Sequence, residues 1–268
     1  MSWTRKLLAA LLISLVGSAL PAQPPAGPSW QVDWGQYYCS MIRGAGEGRP
    51  YSTVFLSVPG GDSTEILLVP ERSATLPRGA SSVVLLPRGG IFEVKARTEQ
   101  RGRRDVLAIG GLSYEFREAL ADATELQLRA GDEIRARIPL DNPAAAIAAH
   151  RRCTADISRE WGVDEAVLAA LRQRPASTNL FGLDSNDYPP AALRTATQGR
   201  VIVRIDVSAE GRAADCATVA TSGNAEIDAT TCRVIRRRAR FRPAIDGAGR
   251  RVAARTISTV TWLVPGAD

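Results

Sequence analysis

The side chains able to do chemistry in this chain are few: one histidine, four cysteines and scattered carboxylates. As a general base, His150 would need a nucleophile and an orienting acid, and no pattern in the sequence supplies either. It falls on the inward stripe of an alanine-rich helical segment, so a packed imidazole is the plainer reading. The carboxylates form no recognisable acid/base pair. Gly44-Ala45-Gly46-Glu47-Gly48 looks superficially like a phosphate-cradling loop. No apolar strand runs into it, no Lys-Ser or Lys-Thr follows, and Pro50 ends it, so it reads as a turn. No catalytic residue, cofactor site or metal site is expected, and the chain does not read as an enzyme.

Cys39, Cys153, Cys216 and Cys232 contain no C-x-x-C pair, which gives a zinc site little support. Behind an export signal an even count suggests disulfides, and four cysteines allow three pairings. Cys39–Cys153 with Cys216–Cys232 is the favoured set, because each bond then closes within one domain; buried free thiols are the alternative. The net charge of +6 is carried almost wholly by arginine, with lysine only at Lys6 and Lys95. Such a balance permits contact with nucleic acid, acidic lipid or cell-wall polymers; of these, a nucleic-acid partner is not expected. The densest run is Arg233, Arg236, Arg237, Arg238, Arg240 and Arg242. On a helix, Cys232, Ile235 and Ala239 share one face, while Arg233, Arg237 and Arg240 fall mostly on the other. That face is either simply solvated or a basic patch.

The elements that would position these residues begin after a secretory signal at residues 1–22. Thr4-Arg5-Lys6 is the positive start, Leu7–Val16 the apolar stretch, and cleavage after Ala22 or Ala19 fits. The apolar run is about 16 residues against the roughly 20 of a spanning helix, and an uncleaved inner-membrane anchor is the alternative. Residues 23–29 read as a Pro-rich linker. Residues 30–161 read as a β-rich domain with runs at Thr53–Val58, Glu65–Val69, Val83–Leu86, Ile91–Ala96, Val106–Ile109, Leu126–Leu128 and Ile134–Leu140. Turn clusters such as Pro59-Gly60-Gly61-Asp62 separate them. Tyr114–Ala121 reads as a short helix. A closing helix is expected with Asn142 as N-cap and Pro143 at its first position. Its inward stripe is Ile147, His150, Cys153, Ile157 and Trp161. A second helix spans Asp164–Leu171, and Arg172–Asp187 reads as a polar linker.

The last quarter carries the most information. Val201, Val203, Ile205 and Val207 alternate with more polar positions, as a strand with one buried face does. Ser208-Ala209-Glu210-Gly211-Arg212 is a hairpin connection. A helix follows Ile227-Asp228 and is expected to run to Arg240-Phe241-Arg242-Pro243, where the proline stops it. Val252–Val264 reads as a final strand. The expected class is α+β: a β-rich domain closed by a helix, then a small sheet-and-helix domain over residues 172–268. The final strand is a candidate sheet edge, a template for adding an extended peptide.

Tyr188-Pro189, the Gly199–Val207 strand, Gly211-Arg212, Ser222-Gly223, Ile227-Asp228 and Arg240-Phe241-x-Pro243-Ala244 together resemble the C-terminal domain of the TonB family. The resemblance implies binding of the N-terminal box of an outer-membrane TonB-dependent receptor by strand addition, in energy-coupled transport from the periplasm. It assigns the receiving strand to Arg255, Thr256, Ile257, Ser258, Thr259, Val260, Thr261, Trp262 and Leu263. It assigns a second contact to Ser185, Asn186, Asp187 and Tyr188, which lack the glutamine common there in relatives. Relatives also carry a membrane-helix histidine for the ExbB–ExbD motor and a Pro-rich rod. Leu7–Ala22 has no histidine, and residues 30–161 stand where the rod would be. A structural envelope protein that holds peptidoglycan or anionic lipid through Arg233–Arg242 is the alternative.

Overall fold

The computed structural model describes residues 30–46, 49–61, 63–71, 74–88 and 90–264, and its mixture of strands and helices fits the α+β class. The signal segment 1–22, with Ala22, and the linker 23–29 lie outside the described residues.

The first half contains β1 (Trp30–Trp34), β2 (Cys39–Arg43), β3 (Tyr51–Ser57), β4 (Thr64–Pro70), β5 (Ser82–Leu86), β6 (Gly90–Glu93), β7 (Lys95–Arg101), β8 (Arg104–Leu112), α1 (Tyr114–Ala119), β9 (Glu125–Ala130), β10 (Glu133–Pro139) and α2 (Ala144–Glu160). They form a six-stranded sheet ordered β1-β2-β3-β4-β8-β7 and a four-stranded sheet ordered β10-β9-β5-β6. In β3 the period of two buries Thr53, Phe55 and Ser57 on one face. Phe55, Ile66, Leu68, Ile109, Phe116, Leu126 and Leu128 belong to one core.

The run Ile91–Ala96 is not one strand: its halves join different sheets as β6 and β7, and Val94 between them donates its N–H to the Ser81 carbonyl at 2.9 Å. Asn142 does not cap α2, because Pro143 occupies the cap position and Asn142 sits one residue upstream at φ 55°. A short amide side chain tolerates that left-handed turn, which swings the chain into the helix. The stripe Ile147, His150, Cys153 and Ile157 is buried.

Next come α3 (Glu165–Ala169), β11 (Ala176–Ser177), α4 (Pro190–Arg194), β12 (Gly199–Val207), β13 (Ala213–Ala220), α5 (Ala225–Arg238), β14 (Phe241–Arg242), β15 (Ala244–Ile245), β16 (Arg251–Val252) and β17 (Ala254–Trp262). The sheet order is β13-β12-β17. Val201, Val203, Ile205 and Val207 bury one face together with Ile227 and Ile235 of α5. The opposite face is also covered, because Ile202, Ala220 and Ile257 pack with Val163 and Leu168.

α5 ends at Arg238, earlier than the Arg242-Pro243 stop expected from sequence. Its last groups find tertiary partners instead: Asn179 Nδ2 donates to the Arg238 carbonyl at 2.9 Å, and Asn179 Oδ1 accepts the Arg240 N–H at 3.0 Å. Phe241 and Arg242 then pair with Ser177 and Ala176. Residues 172–187 are thus laid along the small sheet-and-helix unit, further tied by Gln173 to Ile245.

Candidate functional site

β17 pairs antiparallel with β12 along its whole length, from Gly199–Trp262 to Val207–Ala254, and lies at the sheet edge. Its side chains alternate: Val260 and Trp262 enter the α5 core, while Ile257 enters the opposite cluster. Trp262 Nε1 donates to Thr231 Oγ1 at 2.9 Å, so even the polar atom of this ring is satisfied inside.

The Ile257 N–H points away from β12 and donates to the Gly60 carbonyl at 3.0 Å. The two-residue period sets the backbone groups of Arg255, Thr259 and Thr261 on the same outer edge. This edge has two halves. At one end, Arg255 reaches the Gly162 carbonyl at 3.0 Å and Asp206 at 3.2 Å, and Ile257 is 2% exposed. At the other, Thr261 is exposed and Leu263, one residue past the strand, is 64% exposed. Thr256 is buried, and Ser258 and Thr259 are half-buried.

Ser185, Asn186 and Asp187 form a single turn capped by Asp184, whose Oδ1 accepts the Asn186 N–H at 2.8 Å. Asp187 pairs with Arg238. Tyr188 is 6% exposed; its hydroxyl donates to the Thr197 carbonyl at 2.6 Å, and its ring meets Trp262 edge-on at 5.3 Å. The segment is therefore anchored to the end of β17, with Ser185 and Asn186 facing solvent. A groove of about 520 Å³ separates it from α5, lined by Asn186, Pro190, Thr230, Arg233 and Arg237 among others.

Of the arginine run, Arg236 donates to the Cys216 carbonyl at 2.9 Å and Arg238 is held by Asp184 and Asp187. Arg233 and Arg237 are exposed, and neither forms an ion pair among the described residues. The cysteines pair as Cys39–Cys153 and Cys216–Cys232. The first ties β2 to α2 and the second ties β13 to α5. Two disulfides suit an oxidising compartment.

His150 is 1% exposed, with the Cys39 backbone beside its ring. Burial, reinforced by nearby Arg117, pushes its pKa down to about 4. It is a neutral packing residue. The residues that sequence reasoning passed over are Gly60, Glu165 and Arg174. Glu165 accepts the Gly60 N–H at 2.8 Å, the Ser158 hydroxyl at 3.3 Å and the Arg174 guanidinium at 3.2 Å. The Pro59-Gly60-Gly61 turn was legible as a turn, but nothing local signals where it docks.

The family described as Gram-negative bacterial TonB protein C-terminal matches residues 184–263. Residues 184–263 are a TonB-family C-terminal domain. No curated protein and no solved structure matches the chain. The TonB-type domain so defined begins at the Asp184 cap and ends just past β17, so it contains both the Ser185–Tyr188 turn and the edge strand. Among the described residues, no helix is long and apolar enough to cross a membrane.

Proposed function

We propose that this is an exported periplasmic protein whose TonB-type domain receives the N-terminal box peptide of an outer-membrane TonB-dependent receptor as an added strand on β17. It would serve energy-coupled transport, either as an adaptor or, if its N-terminus stays in the inner membrane, in contact with the ExbB–ExbD motor. The observation that carries this reading is the edge position of β17, whose outer backbone groups at Thr259 and Thr261 lack a neighbouring strand among the described residues. Titration of the labelled protein with synthetic receptor-box peptides tests it. Amide resonances within Arg255–Leu263 should shift; no shift with any box peptide sinks the reading.

A second reading has its own observation: Arg233 and Arg237 leave a cationic strip on α5 unneutralised by carboxylates among the described residues. Here the protein is a structural envelope component holding peptidoglycan or anionic lipid. Retention on purified peptidoglycan or anionic vesicles, lost when these arginines become glutamine, would support it over strand addition.

A further inference from the structure

The outer edge of β17 is already partly taken by the chain itself. The turn between β3 and β4 lies parallel to it, with Gly61 bridged to Ile257 and the Gly60 carbonyl accepting the Ile257 N–H at 3.0 Å. This is strand addition in miniature. The turn is held from behind, since the Gly60 N–H donates to Glu165 at 2.8 Å and Glu165 is itself fixed by Ser158 and the buried Arg174. Val58 packs with Val163 and Ile257 beneath it.

Gly60 is required for this approach, and the space at Gly61 is tight. A Cβ on Gly60 would stand 2.7 Å from Ile257 Cγ1, and Gly60 adopts φ +69°. A Cβ on Gly61 would stand 3.0 Å from the Ile257 carbonyl oxygen.

We propose that the β3–β4 turn is an intramolecular competitor for the strand-accepting edge. It occupies β17 at Ile257, confines an incoming peptide to Thr259–Leu263, and weakens peptide binding until it lifts. The proposal rests on β17 being the strand that receives a peptide. A peptide running the full strand would bond at Ile257, where the donor is taken, and at Arg255, whose side chain is tied to Gly162. If the turn is lifted in about a tenth of molecules, apparent affinity for a full-length peptide strand falls about tenfold.

The test uses the full chain, its Gly61→Val and Gly60→Val variants, and fluorescein-labelled synthetic receptor-box peptides followed by anisotropy. Thermal unfolding checks that each variant folds. Glu165→Gln, with both glycines intact, provides a variant that weakens the turn's support rather than its contact. Without peptide, the Ile257 amide should exchange about tenfold faster in the glycine variants. With peptide, affinity should rise about tenfold, and the footprint should extend from Thr259–Leu263 back to Arg255. Equal or weaker binding by all variants overturns the competitor and leaves strand addition standing. Unchanged Ile257 exchange in both glycine variants overturns the coverage of the edge. No peptide bound by any form removes the strand-addition reading and the competitor with it.

Discussion

The Gly60 carbonyl accepts the backbone N–H of Ile257 at 3.0 Å, and this bond joins the β-rich half of the chain to the edge strand of the TonB-type domain. Gly60 is gripped on its other side by Glu165. The junction is therefore polar at its centre and apolar around it, with Val58, Val163, Leu168 and Ile257 excluding water.

Glu165 is the carboxylate on which this junction depends. Its partner Arg174 has a side chain only 6% exposed. Glu165→Ala should destabilise the protein by about 3 kcal/mol, because it strands a buried guanidinium as well as removing bonds to Gly60 and Ser158. Urea unfolding of Glu165→Ala, Arg174→Leu and the double variant checks this. The double should cost less than the sum of the singles.

His150 makes stability depend on pH. Its folded pKa of about 4 lies below the ordinary 6.5, so the unfolded chain binds more protons between those values. Stability is full above about 6.5 and is lost as pH falls toward 4, by about 3 kcal/mol in all and about 2 kcal/mol by pH 5. Arg117 and Arg151 oppose the charged ring, and Glu165 favours it. His150→Leu should flatten this contribution, since leucine has no group to titrate. Urea midpoints of both proteins at pH 7 and pH 5 measure the difference.

The two disulfides should contribute unequally. Cys39–Cys153 spans 114 residues and Cys216–Cys232 spans 16. Chain-entropy reasoning gives nearly 5 kcal/mol for the long loop and about 3 kcal/mol for the short one. Paired Cys→Ser variants, unfolded in denaturant under oxidising conditions, should lose stability in that order.

Gly211 and Gly223 offer a matched contrast. Gly211 has φ +76°, and a Cβ there would come 2.2 Å from the Phe241 carbonyl oxygen. Gly223 has φ +87° with nothing within 4 Å. Alanine at Gly223 should cost about 1 kcal/mol for the backbone alone. Alanine at Gly211 should cost more, about 3 kcal/mol, because β14 must move away from the hairpin. Thermal unfolding of the two variants ranks them.

Much of the fold was legible because its signals are local. Val201, Val203, Ile205 and Val207 sit two apart, and the sheet buries them on one side as their period requires. Ile147, His150, Cys153 and Ile157 follow the helical period and are buried together. Where local signals competed with distant partners, they misled. Arg242-Pro243 looked like the helix stop, but Asn179 and the Ala176-Ser177 pairing end α5 at Arg238. The positions between those residues were expected to be the wetter ones, yet Ile202 among them is covered by Val163 and Leu168.

The local pattern of residues carried most of the element types, the α+β class and the family resemblance of the last quarter. These follow from side-chain period, turn residues and motif spacing, all of which act within a few residues of one another. How much of the outer edge of β17 is free depends on long-range packing. Gly60 and Ile257 are far apart in the chain, and a glycine turn carries no side chain to advertise its target. What brings them together is the closure of one apolar cluster around Val163 and Ile257 and the single carboxylate of Glu165, and both exist only once distant segments have packed.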